Sequence, residues 1–314
     1  MNEDNARHIT LTRLVPPVPG GRWLCALGIF LVTTTIFWAC GVFGPDRTAT
    51  LTGSYGAALF FSVVLSYTVP ILHYISTRTA DAIGAMGPSL KAEEAQISAW
   101  QHRVWKKPRA WFRWVLSIGI IGGLAHNLLL FGSLSKLVGD ITSDAPAAAI
   151  FSGTCLVWVV LTFSLAALLD NALLLRKLAR HTGINLLQPQ QLRPFGTVAV
   201  ISTLAVIGIQ AAFPIMFIDS GLNAMAYIPG LIPTSAVMFL LAALPVWPIH
   251  QRLARAKALA LAPINQRIDA LGAIDGAEQD ETLAPLAPLL TYRQEIDQVS
   301  EWPFDVGVIT RLGL

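Results

Sequence analysis

Apolar residues run along this chain for about 20 positions at a time, and polar residues collect between the runs. Six stretches have this character: 23–43, 55–75, 114–134, 147–169, 196–218 and 224–249. About 20 apolar residues in a helix cross the hydrocarbon core of a bilayer. None of the runs alternates at period two, and backbone groups inside a bilayer must pair within their own segment, so each run predicts a helix. The first run exceeds the roughly 7–15 residues of a secretion-signal core. Gly44-Pro45-Asp46-Arg47 follows it in place of a small-residue cleavage site. It reads as the first span.

Two polar stretches carry a pattern of their own. In the connection 77–113, Pro88-Ser89-Leu90-Lys91 predicts the start of a short helix, with Ser89 as N-cap and Glu93 and Glu94 in its first turns. Trp100, Trp105 and Trp111 interleave with Arg103, Lys106, Lys107 and Arg109. Tryptophan favours the headgroup zone and basic side chains attract anionic lipid. The expectation is an interfacial helix with Trp100, Trp105, Lys106, Lys107, Arg109 and Trp111 against lipid. The plain alternative is a loop held only by the next span.

The second such stretch is the tail. Leu253, Ala256, Ala260, Ile264, Ile268 and Leu271 approximate a helical stripe, which Pro263 is expected to kink or end. A polar turn spans 275–281. Leu289, Tyr292, Ile296, Val299 and Pro303 then predict a second helix from near 286 to Trp302-Pro303. Two helices about a Gly-containing turn predict an antiparallel hairpin. Each is too short to be stable alone, so the hairpin packs on itself, on a second copy or on another protein. Tyr292, Arg293, Trp302 and Asp305 are the candidate contact residues.

Composition agrees with this reading: 54% of the 314 residues are hydrophobic and 13% charged, about half the charged fraction of a soluble domain. The net charge of +3 matters less than its placement. Of the 22 lysines and arginines, all but Arg47 and Lys136 fall in the N-terminal arm, the second and fourth connections or the tail. The positive-inside rule puts those segments, and both termini, in the cytoplasm. The expected fold is therefore an all-α polytopic membrane bundle of six helices. It has a cytoplasmic arm at 1–22, a membrane domain at 23–249 and a cytoplasmic helical hairpin at 250–314. The external connections near 44–54, 135–146 and 219–223 are short and leave no room for a folded receptor domain. Basic residues beside apolar spans are not a nucleic-acid footprint.

The spans hold almost no charge, and a charge inside a bilayer marks function by default. Asp170, beside Asn171 at the end of the fourth span, is expected to pair with Arg176 or meet water; the sharper reading is an ion or proton role. His126 and Asn127 lie midway along the third span. Successive residues are about 100° apart, so one of the two is expected to hydrogen-bond to a neighbouring helix; the sharper reading is a pore lining or proton relay. Gly119, Gly122 and Gly123 just before them predict close helix approach. Gln210 and Pro214 interrupt the fifth span, and Pro229, Pro233, Pro245 and Pro248 the sixth. Broken helices build ion sites in some transporters, but Pro229 and Pro233 are expected in the first turns, where proline is tolerated.

Cys25, Cys40 and Cys155 sit in apolar runs as packing residues. His73 and His250 lack a carboxylate neighbour, so no metal site is predicted. No metalloprotease, phosphate-loop, nucleophile-elbow or redox-cysteine motif occurs. No catalytic residue and no cofactor is predicted.

Gln191-Leu192-Arg193-Pro194-Phe195-Gly196 precedes the fifth span. Leu244-Pro245-Val246-Trp247-Pro248-Ile249-His250 leads to Leu253 and Lys257, and Tyr292-Arg293 to Glu301-Trp302-Pro303-Phe304-Asp305. Over its second half the chain thus resembles a family of uncharacterised prokaryotic multi-pass inner-membrane proteins. The resemblance implies an inner-membrane location and a cytoplasmic helical segment, and no activity or site. Proteins that look like this continue from the Trp-Pro-Phe-Asp region into further hydrophobic sequence, whereas this chain stops at Leu314. Either the sequence is shortened or this member has lost its final spans; if spans are missing, the hairpin corresponds to an internal loop elsewhere in the family.

The best expectation for function is a channel or transporter for ions or small solutes, and not an enzyme. The alternative is a non-catalytic sensor or scaffold acting through the hairpin. Expected partners are the lipid bilayer, a second copy of the chain and a cytoplasmic protein.

Overall fold

A computed structural model describes residues 6–44, 55–90, 92–218, 224–272 and 279–302. Among the described residues the fold is all-α apart from one two-stranded ribbon, and six of the helices are long and apolar enough to cross a membrane. In chain order these are α1 (Gly21–Ala39), α2 (Tyr55–Ala85), α5 (Arg109–Phe131), α7 (Ala145–Ala179), α8 (Arg193–Ala211) and α9 (Ala224–Gly272). The shorter helices are α3 (Gly87–Leu90), α4 (Glu94–Trp105), α6 (Leu134–Ser143) and α10 (Gln279–Gln298). The ribbon pairs β1 (Ala6–His8) antiparallel with β2 (Lys106–Pro108).

Burial ranks the spans. In its most apolar window α2 has 67% of its residues buried, and α1 has 11%. By this measure α2 is the innermost span, and α1 leans on it from outside. One apolar cluster joins Phe37 of α1, Phe60 and Phe61 of α2, Val157 of α7 and Phe213. A second, nearer the ends rich in lysine and arginine, joins Ile83, Leu175, Phe195 and Ile249 beneath Val104 of α4. A third lies between them, with Leu72, Leu168, Val206 and Leu241.

Several boundaries depart from the apolar runs. α2 continues ten residues past Ile75, because Ser76, Thr79, Ala82 and Ile83 still face protein and Gln101 of α4 donates to the Ala80 carbonyl at 2.9 Å. α8 stops at Ala211, and a 3-10 turn, Phe213–Phe217, follows with Pro214 near its start. Connection 135–146 is not a bare loop: it contains most of α6. The Ser133 hydroxyl accepts from the Lys136 N–H at 3.2 Å to cap α6, and the Asp144 carboxylate from the Ala147 N–H at 3.2 Å to cap α7. Ser89 does not cap a helix; its hydroxyl donates to Gln191 Oε1 at 2.8 Å, and Glu93 occupies the N-cap of α4.

Of the two effects expected of Pro263, a kink or an end, the end does not occur. α9 runs unbroken through five prolines for 49 residues. α10 packs along its far part, burying Ile264 and Ile296, and supplies the support that an isolated proline-containing helix lacks. α10 begins at Gln279, about two turns before the expected start.

Candidate functional site

The ribbon creates the first polar centre. Successive side chains of a strand point to opposite faces, so Lys106 and Pro108 are exposed while Lys107 turns inward, 1% exposed. The register sets Arg7 opposite Lys107, and the Ile9 N–H donates to the Trp105 carbonyl at 3.0 Å to extend the pairing. Inside, the Lys107 ammonium donates to the Asp170 carboxylate and, at 3.2 Å, to Asn171 Oδ1. Arg103 approaches the other Asp170 oxygen at 3.7 Å. Burial pulls the Lys107 pKa below the ordinary lysine range; the Asp170 charge and hydrogen bond oppose this, and Arg103 adds to the lowering. Asn171 Nδ2 is buried with no hydrogen-bond partner among the described residues.

Asp170 thus pairs with Lys107 and Arg103, and the expected Arg176 partner is replaced. Six residues along a helix turn about 600°, which carries Arg176 to a different face. That rotation was available in the sequence and excluded Arg176. The true partner was harder to find, since it arrives on a strand 63 residues earlier.

The mid-membrane polar residues tie helices in pairs. Trp158 Nε1 of α7 donates to His126 Nδ1 of α5 at 2.8 Å. Asn127 Nδ2 donates to the Gly123 carbonyl at 2.9 Å, to the Phe151 carbonyl at 3.3 Å and toward Cys155 Sγ at 3.4 Å. Both residues face α7, where one was expected to. The glycines explain it: a Cβ on Gly119 or Gly123 would lie 2.9 Å from the Val159 or Cys155 Cα. The backbones are therefore close enough for α7 to cover both directions. This is the small-residue approach seen between membrane helices. Between α8 and α9, Gln210 Nε2 donates to Ser235 Oγ at 2.8 Å and to Thr234 Oγ1 at 3.3 Å.

Beside these ties lies a cavity of about 280 Å³, bounded by α2, α5, α7, α9 and the Phe213–Phe217 turn. Phe60, Leu161, Phe213 and Val237 give it an almost wholly apolar wall. Polar groups reach it only at the His126–Trp158 pair and at Thr154, Thr162 and Thr234. His126 lines it directly, and Gln210 reaches it only through Thr234. Asn127 and Asp170 do not line it, so the four intramembrane candidates do not converge on one site.

The surface candidates divide. Lys106 and Arg109 are exposed. Trp100 and Trp105 are half-buried against the Ile83–Leu175 cluster, and Trp111 meets Phe112 and Phe163 edge-on at 5.2 and 5.7 Å. Lys107 is no surface residue at all. The most exposed tryptophans are Trp23, Trp114 and Trp38, at 81%, 72% and 70%, none of which the sequence singled out; each begins or ends a span, which was the available signal.

The hairpin forms: Trp302 stacks on His250 at 4.0 Å and 12°, Arg293 Nε donates to Asn265 Oδ1 at 2.8 Å, and Lys257 pairs with Asp297 at 3.5 Å. Tyr292 is exposed; Asp305 and most of the 275–281 turn lie outside the described residues. His73 packs near Trp105, so the two histidines have different tryptophan neighbours. Among the described residues no group of three or more His, Cys, Asp or Glu side chains forms a metal set.

These features define a multi-pass helical membrane protein. No protein-family model, curated protein or solved structure matches the chain. The likeness seen in its second half therefore identifies no family.

Proposed function

We propose that the chain is a membrane carrier for small apolar or amphipathic solutes, with its binding site in the cavity between α5, α7 and α9. One observation carries this reading: about 280 Å³ of apolar space at span depth, with a few polar groups at its wall. That is the common make-up of a small-molecule site, in which apolar walls supply affinity and sparse polar groups set orientation. It favours an uncharged or amphipathic cargo over a bare ion, which needs closely spaced oxygen ligands or charge. The reading involves no chemical transformation. The test is binding and flux in liposomes with a panel of small apolar and amphipathic solutes. Thr162→Trp fills the cavity from a half-buried position and is expected to abolish both. Equal binding and flux in the parent and in Thr162→Trp would remove the cavity from the function.

The basic bias supports a topology with the arm, the second and fourth connections and the hairpin in the cytoplasm; a prokaryotic inner membrane is part of the same reading and rests on the resemblance of the second half alone. A reporter at Gly139 in α6 is then periplasmic and one at the C-terminus cytoplasmic; the reverse would invert the topology.

A sensor or scaffold is the second reading, favoured by the unbroken passage of α9 from the membrane domain into the hairpin. Absence of solute binding, combined with a partner held by parental protein and lost on deletion of 279–302, would decide for it.

A further inference from the structure

A second cavity, about 380 Å³, lies between α1 and α2 and is lined by Arg22, Trp23, Ala26, Tyr67, Pro70 and Tyr74, among others. It differs from the first in carrying charge at one end. The Arg22 guanidinium lies 4.9 Å from the centre of the Tyr74 ring, and the Arg78 guanidinium 5.3 Å from it. Cation–π contact stabilises each, but two like charges over one ring repel. Neither arginine has a carboxylate within ion-pair distance among the described residues, and both are exposed. The arrangement is complementary to an anion.

The rest of the cavity says what kind. Arg22 begins α1 and Tyr74 lies in the half of α2 that leads to the basic connection, eleven residues before Ala85; the lining runs back along α2 through Pro70 to Ser66. Eight residues of helix cover about 12 Å, close to half of a roughly 30 Å hydrocarbon core. The cleft therefore passes from the Arg22 cation, with Arg78 outside its lining on the same Tyr74 ring, to apolar side chains over the depth of one leaflet. Trp23, 81% exposed beside Arg22, is an aromatic residue at the same level. α1 has little protein on its outer side, so the cleft opens toward the bilayer.

We infer that this cleft binds an anionic phospholipid, its phosphate held by Arg22 and Arg78 beside Tyr74 and one acyl chain lying along Ala26, Tyr67 and Pro70. The inference is independent of any cargo in the first cavity.

The experiment uses full-length protein, purified and delipidated in mild detergent. Lipid retention is read by native mass spectrometry and stabilisation by thermal unfolding. The probes are phosphatidylglycerol, phosphatidylcholine of the same chains, and glycerol phosphate alone. Phosphatidylglycerol is expected to be retained and to raise the melting temperature, and the other two are not. The double change Arg22→Gln with Arg78→Gln is expected to weaken its retention by about thirtyfold. Lys177→Gln with Arg180→Gln, exposed at the same end, is expected to leave it unchanged. Ala26→Trp is expected to block retention with both arginines in place.

Equal retention of the two phospholipids would overturn the inference, as would unchanged retention in the Arg22/Arg78 variant. Loss of the same size in the Lys177/Arg180 variant would replace a site by diffuse attraction. Full stabilisation by glycerol phosphate would eliminate the acyl-chain half. All three variants keep the parental elution profile if the effects are local; for a variant that does not, the parental contrast between the two phospholipids decides alone.

Discussion

The Lys107–Asp170–Asn171 centre and the His126–Trp158 pair both bury polar side chains, and they do so by different means. The first uses full charges where a connection meets the end of a span, and Asp170 keeps a quarter of its side chain exposed. The second uses neutral groups in the middle of the bundle, where a charge costs most. The ionic centre joins segments distant in sequence: the N-terminal arm through β1, the α4–α5 connection through Lys107, and α7 through Asp170. The neutral ties join helices already held by apolar packing and close glycine contact. Charge thus fixes a connection onto the bundle, and neutral hydrogen bonds adjust helices within it.

That contrast can be broken most forcefully at Asp170. Asp170→Ala leaves the Lys107 ammonium buried with only Asn171 as acceptor and is expected to cost about 3 kcal/mol, measured by detergent-titrated unfolding. Lys107→Met leaves an Asp170 carboxylate that is a quarter exposed and still within reach of Arg103, so its cost is expected to be smaller than that of Asp170→Ala. Equal losses in both would show that the pair, and not the stranded charge, sets the energy. The pH dependence sharpens this. Lys107 has a folded pKa below its ordinary value of 10.5, so between the two values the folded state binds fewer protons than the unfolded. Its contribution to stability therefore rises with pH across that interval. The parent should gain on Lys107→Met as pH climbs toward 10.5, and a parent that loses ground would contradict the desolvation argument.

Smaller effects belong to the neutral ties. His126→Phe leaves Trp158 Nε1 without that acceptor and is expected to cost about 0.6–2 kcal/mol, and Gln210→Leu about 0.6 kcal/mol. A His126 loss as large as that of Asp170→Ala would erase the distinction between the two regions.

The spans were legible because twenty apolar residues in a row have few other uses. Their ends were not. α2 extends to Ala85 because one face stays buried beneath α4, and that information lies in α4, not in α2. Gly119 and Gly123 announced a close helix approach but not α7 as the helix approached. Asp170 was legible as a charge in need of a partner, yet its partner depends on strand alternation in Lys106-Lys107-Pro108. Three residues are too few for any periodic signal, so Lys107 read as one more basic surface residue. Trp302 was singled out, and its stack on His250 spans 52 positions that only the hairpin closes.

At about 1.5 Å per residue, the 49 residues of α9 make a rod of roughly 74 Å, more than twice the hydrocarbon thickness. Such a rod has a lever's mechanics. A tilt of about 10° near Pro233, where α9 lines the apolar cavity, displaces the helix end roughly 60 Å away by about 10 Å. The α10 contacts brace the outer arm against bending, so angular change at the cavity is delivered to the far end as translation.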